Sequence, residues 1–165
     1  MTDTGGMDPA AVHKPAPLAL VALASAMYGA LAICVTGFAS LLTDTDVISV
    51  PGIGPVPGAA AVLVSVACFA GALWPTLNPP RPSYLGVAPV ALAATLAHLA
   101  ALWVLAVLLD AGFATATAAV GASVTSWTSP AFLGVAIVAA WGGIAVRRTA
   151  ARPPHWPWER PDDGE

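Results

Sequence analysis

Four stretches of this 165-residue chain contain no Asp, Glu, Lys or Arg, and each is about as long as a bilayer is thick. They run from Pro17 to Leu42 (26 residues), Pro57 to Leu77 (21), Leu85 to Leu109 (25) and Pro130 to Val146 (17). An α-helix rises 1.5 Å per residue, so about 20 apolar residues, within a range of ~17–25, cross the hydrocarbon layer. Lipid offers no partner to a free backbone N–H or C=O, so a helix that enters the layer is expected to cross it. The expected fold class is therefore all-α, a four-helix transmembrane bundle of up-down-up-down topology with short connections.

Composition closes off the alternatives. Only 9% of residues are charged and 58% are hydrophobic, with mean hydropathy +0.79. Soluble domains carry about 25% charged residues. Six Lys+Arg and nine Asp+Glu cannot cover the surface of a water-soluble globule of this size. No basic footprint exists for a nucleic acid, and a disordered chain would be poor in apolar residues. An integral membrane protein remains. Alanine dominates, five arginines stand against one lysine, and Asn78 is the single asparagine, a bias that resembles high-GC bacterial sequences.

Turn chemistry marks the boundaries. Pro57 suits the first turn of the second span, where a missing N–H costs little. Ser129 and Pro130 read as N-cap and first helical position of the fourth span, drawn as 128–146. Asn78-Pro79-Pro80-Arg81-Pro82 cannot continue a helix and predicts a tight, stiff connector. Pro89 permits a kink early in the third span, and Gly112 suits a stop after it. The domain plan is a disordered cytoplasmic N-terminus over 1–16 and a membrane domain over 17–146. Its spans are 17–42, 57–77, 85–109 and 128–146, and a Pro/Trp-rich cytoplasmic tail covers 147–165.

Positive charge sets the expected orientation. Lys14 precedes the first span, Arg81 lies between the second and third, and Arg147, Arg148, Arg152 and Arg160 follow the fourth. The other two loops hold Asp44, Asp46 and Asp110 and no Lys or Arg. All six cations fall on one side when both termini are cytoplasmic, which places the protein in the cell membrane with N-in and C-in ends. The first span has Lys14 before it and Ala24-Ser25-Ala26 within it, as a cleaved signal would. Its apolar stretch is about twice a signal core, so it reads as a span.

The first outer loop, Thr43–Val56, is broken by Pro and Gly. Asp44 and Asp46 at i and i+2 offer too few oxygens for a metal site and read as a solvated loop. The second, Ala111–Ser126, is uncharged and rich in Ala, Thr and Ser; extended flanking helices and an interfacial helix both fit it. In the tail, Pro153, Pro154, Pro157 and Pro161 oppose a helix. Trp156 and Trp158 suit the headgroup zone, with Arg148 and Arg152 near anionic lipid. That segment reads as an interfacial anchor, with a docking peptide for a cytoplasmic partner as the sharper alternative. Trp74, Tyr84 and Trp127 are further interface anchors.

His98 is the one imidazole within a span, and ionisable groups at that depth face the bundle interior. Positions 91, 94, 98, 101 and 105 form a face of small residues around it, while Leu92, Leu96, Leu99 and Trp103 form the opposite, lipid-suited face. Depth counting sets Tyr28, Ser65 and Cys68 within about 3 Å of the midplane, and Thr95 one turn below His98. His98, Tyr28, Thr95 and Ser65 are thus a candidate intramembrane polar cluster. It reads first as a neutral hydrogen-bonded packing lock and second as a proton-relay or substrate-contact site. Small residues four apart (Ser25 and Gly29, Ala67 and Gly71, Ala139 and Gly143) favour close helix contacts.

No catalytic, cofactor-binding or metal site is expected. Haem ligation by two histidines needs a second intramembrane histidine, and His13 and His155 lie outside the spans. A disulfide exchanger needs a CxxC pair, and Cys34 and Cys68 are about 8 Å apart in depth, too far for a mutual disulfide. A small multidrug exporter needs an intramembrane Glu. The four uncharged spans, the arginines after the fourth, and the tail His155-Trp156-Pro157-Trp158-Glu159-Arg160 together resemble the uncharacterised small four-span membrane proteins of high-GC Gram-positive bacteria. That resemblance implies a domain of unknown function. The expected role is a non-enzymatic structural or accessory component of a membrane complex. Its partners would be the lipid bilayer and a membrane protein or a second copy of itself, without nucleic acid. The alternative is a small oligomeric transporter or channel-like protein with midplane contacts at His98 and Tyr28.

Overall fold

The structure, a computed structural model, describes residues 16–44, 55–79 and 81–151. Five helices account for almost all of them: α1 (Pro17–Thr43), α2 (Pro55–Leu77), α3 (Val87–Leu108), α4 (Phe113–Thr125) and α5 (Thr128–Ala151). A single 3-10 turn, Tyr84–Gly86, leads into α3. Four helices, Pro17–Thr43, Val56–Leu77, Tyr84–Leu108 and Thr128–Ala150, are long and apolar enough to cross a membrane. His13, Lys14, Asp46, most of the first outer loop and the tail residues Arg152, His155, Trp156, Trp158 and Arg160 lie outside the described residues.

Local chemistry explains where the helices stop. Pro17 opens α1, where its fixed φ is already helical. Asp44 closes it in the left-handed region (φ 50°), its N–H bonded to the Ser40 carbonyl. Asp110 adopts the same region (φ 61°) just beyond α3; aspartate tolerates it better than most side chains. Gly112 (φ 81°) serves as the N-cap of α4 rather than as the expected stop of α3. Pro89 falls in the first turn of α3 and leaves the helix continuous. The start of α5 also differs from expectation: the helix begins at Thr128, and Ser129 is inside it. The Ser129 hydroxyl donates to the Ser123 carbonyl (2.8 Å), while Ser126 Oγ accepts from the Thr128 N–H (3.3 Å).

Contacts fix the packing order. Ser65 of α2 meets Ala94 of α3, and Thr76 of α2 meets Gly86 at the start of α3, so these helices run antiparallel. His98 of α3 meets Phe132 of α5, and Tyr84 meets Arg148, which makes this pair antiparallel too. Tyr28 of α1 meets Ser65, while Ala24, one turn earlier, sits with Leu73 around Gly143 of α5. The shared core includes Leu20, Tyr28, Phe69, Leu73, Val90, Phe132 and Ile144.

Glycine permits two of the closest approaches. A Cβ on Gly143 would lie 3.2 Å from Ala24 Cβ, and one on Gly29 would lie 3.3 Å from Val66. The Ala67–Gly71 pair, by contrast, faces outward, and nothing lies within 4 Å of a Cβ at Gly71. Large apolar side chains cover the outside as well, among them Leu23, Ile33, Phe38, Leu63, Leu96 and Trp141.

The register of α5 explains α4. Since Phe132 pairs with His98, Thr128 starts level with Leu102, about two turns short of the end of α3. Helix α4 fills the volume this leaves. Ala116, Ala119 and Ser123 form its buried face, and Val120 packs on Ala61, Ala101 and Leu102. Trp103 holds its first half, donating from Nε1 to Thr117 Oγ1 (3.2 Å) and meeting Phe113 edge-on at 5.2 Å.

Candidate functional site

All four residues of the candidate polar cluster are buried. They divide into two separate arrangements. In the first, the Tyr28 hydroxyl and Ser65 Oγ share a 2.7 Å hydrogen bond, and Ser65 Oγ donates to the Ala94 carbonyl at 2.7 Å. Since the Ser65 proton goes to Ala94, Tyr28 is the donor to Ser65. The Tyr28 ring stacks on Phe69 at 4.7 Å, which holds the phenol in place from α2. One chain of hydrogen bonds therefore ties α1, α2 and α3 and ends on a backbone carbonyl.

The second arrangement centres on His98, which is 6% exposed. Its ring stacks on Phe132 with centroids 4.0 Å apart and planes 21° off parallel. The imidazole interacts with the backbone of Ala61 on α2, while Nδ1 is buried with no hydrogen-bond partner. A contact of one ring nitrogen with a carbonyl makes that nitrogen the N–H and leaves Nδ1 as a bare acceptor. No hydrogen bond links His98 to Tyr28 or Ser65 among the described residues. Thr95 joins neither arrangement, because its hydroxyl donates to the Ala91 carbonyl of its own helix (2.9 Å). Cys68 Sγ lies 3.6 Å from the Ala93 carbonyl, and both cysteines are free thiols.

Sequence reasoning missed Phe69 and Phe132. Both faces of a helix in this chain are apolar, so a phenylalanine carries no mark of which way it points. Phe132 stands near the start of its run yet stacks on His98 near the middle of α3, a pairing set by the register of α5 against α3. Ser25 Oγ, a buried hydroxyl with no hydrogen-bond partner, likewise carried no signal.

The candidate anchors cluster by level. Trp74, near the end of α2, and Tyr84 are both exposed, and the Tyr84 ring carries the Arg148 guanidinium 4.7 Å from its centroid. Trp127 is half-buried in the link between α4 and α5. Among the described residues, no group of three His, Cys, Asp or Glu side chains is placed to hold a metal ion.

The fold thus defines a helical bundle with a few buried polar side chains in an apolar core and four helices long and apolar enough to cross a membrane. The chain belongs to DUF6121, a family of unknown function, whose profile matches residues 16–165. No curated protein and no solved structure matches the chain.

Proposed function

We propose that this chain is an integral protein of the cell membrane, spanning it four times with both ends cytoplasmic. In this reading it acts as a non-enzymatic structural or accessory component of a membrane complex. The alanine-rich, lysine-poor composition supports a high-GC bacterial source. The observation that carries the functional reading is the chain Tyr28–Ser65–Ala94, which ends on a backbone carbonyl inside the bundle. A relay needs a next acceptor, and a helix carbonyl cannot pass a proton on. Hydrogen bonds of this kind hold helices together in lipid, each by about 0.6–2 kcal/mol. The polar interior then serves packing, and the working surfaces are the outer helix faces and the tail.

One observation favours the small oligomeric transporter, namely the unpartnered Nδ1 of His98. The two readings differ in what they require of that residue. Gentle extraction from the native membrane, followed by mass spectrometry of bound proteins, tests the accessory reading. A stoichiometric partner retained equally by wild type and His98→Gln supports it. A homo-oligomer without a partner, whose flux in vesicles is lost in His98→Gln, overturns it in favour of transport.

A further inference from the structure

The end of the bundle that carries Tyr84 gathers three arginines. Arg81 adjoins Pro82, whose carbonyl accepts from Arg148 Nη1 (3.4 Å), and Arg147 precedes Arg148 on α5. Tyr84 fixes the position of Arg148 from below through its ring face. Among the described residues, neither Arg81 nor Arg147 has a hydrogen-bond or charge partner, and Arg147 Nε is buried without one. The described carboxylates, Asp44 and Asp110, stand past the far ends of α1 and α3, so none neutralises this cluster. Beside the cations the surface is strongly apolar: Leu85 is 85% exposed, and Trp74 lies open at the same level.

Water alone satisfies the arginines but not Leu85, and hydrocarbon alone does the reverse. A molecule with an anionic head and acyl chains satisfies both. We infer that the surface formed by Arg81, Tyr84, Leu85, Arg147 and Arg148 binds the phosphate headgroup of an anionic phospholipid, with its acyl chains lying against Leu85. The inference rests on the membrane-spanning reading above. Planar guanidinium groups with several free N–H donors match phosphate oxygens in pairs. Tyr84 holds one of them preorganised, and Arg81 and Arg147 complete the charge from the two neighbouring segments.

The test uses the full chain in nanodiscs of zwitterionic lipid, with or without a fixed minority of phosphatidylglycerol. Native mass spectrometry reads the lipid retained, and thermal unfolding reads the protection. The expected result is selective retention of phosphatidylglycerol and a raised Tm, both weakening with salt. Retention should fall about fivefold for each of Arg81→Gln and Arg147→Gln, and about 30-fold for the pair. Arg81 is exposed, and neither side chain has a hydrogen bond or ion pair among the described residues, so the variants should keep the zwitterionic Tm. Equal retention of both lipids overturns the inference. So does protection by inorganic phosphate alone that matches the lipid, or loss on Arg152→Gln and Arg160→Gln instead, which moves the site to the tail. Release of the protein from native membranes by alkaline carbonate overturns the membrane reading itself, independently of these outcomes.

Discussion

At the level of single residues, Tyr28 and Ser65 are unequal partners. Replacing Tyr28 by Phe removes a donor, and Ser65 keeps its bond to the Ala94 carbonyl. Replacing Ser65 by Ala leaves the Tyr28 hydroxyl buried with nothing to bond, and a stranded buried polar group costs about 1–3 kcal/mol. Tyr28→Phe should therefore lower stability by ~1 kcal/mol or less, and Ser65→Ala by roughly 1–3 kcal/mol. Adding Tyr28→Phe to Ser65→Ala should restore part of the loss, because the stranded hydroxyl is gone. Thermal unfolding of the four proteins in one detergent checks this; additive losses would mean that the 2.7 Å contact carries no coupling.

At the level of helices, the α1–α5 contact depends on Gly143. With Ala24 Cβ 3.2 Å from where its own Cβ would stand, Gly143→Leu must force the two helices apart. Overpacking of this sort costs about 1–3 kcal/mol. Gly71→Leu, at an outward position with nothing within 4 Å, should leave stability within ~0.5 kcal/mol of wild type. Equal effects on unfolding would count against this packing. Helix α4 offers a separate test. Ala116→Leu places three extra carbons on its fully buried face and should lift α4 from α3. Amide exchange should then rise over 113–125 while α2 and the Tyr28 level stay protected. Exchange rising throughout α3 and α5 would make α4 integral to the bundle instead.

These elements also show what the amino-acid order does and does not reveal. Excluding charge over some twenty residues is a strong, one-dimensional signal, so the helices able to cross a membrane are plain from the residues alone. The inward face of α3 is readable too, because alanines at 91, 94 and 101 flank the lone His98. The segment 113–125 is different, since its Ala, Thr and Ser suit a loop as well as a helix. What makes it a helix is the vacancy above Thr128, a consequence of register between distant segments. Separation of the candidate cluster into two arrangements has the same origin: depth follows from counting residues, but lateral neighbours depend on how α2 and α5 rotate against α3.

At the level of the whole molecule, the charges of the described residues are divided between its two ends. Arg81, Arg147 and Arg148 share the end where α2 meets α3, and Asp44 and Asp110 stand at the other. A membrane potential and the insertion machinery both act on such an asymmetry, retaining arginine-rich connections on the cytoplasmic side. The proposed orientation therefore makes opposite demands on two single-cysteine variants built after Cys34→Ser and Cys68→Ala. A cysteine introduced by Asp44→Cys should react in intact cells with a thiol reagent that cannot cross the membrane. One introduced by Arg81→Cys should react only once the cells are opened. The reversed pattern would invert the protein and put the three arginines outside, where neither positive-inside retention nor the proposed orientation could hold. Labelling of both positions in intact cells would instead mean that the chain is inserted in two orientations. The Arg81→Cys variant is the more informative member of the pair. It removes one cation from the connector, so a shift toward mixed labelling in that variant alone would show how much of the orientation rests on Arg81.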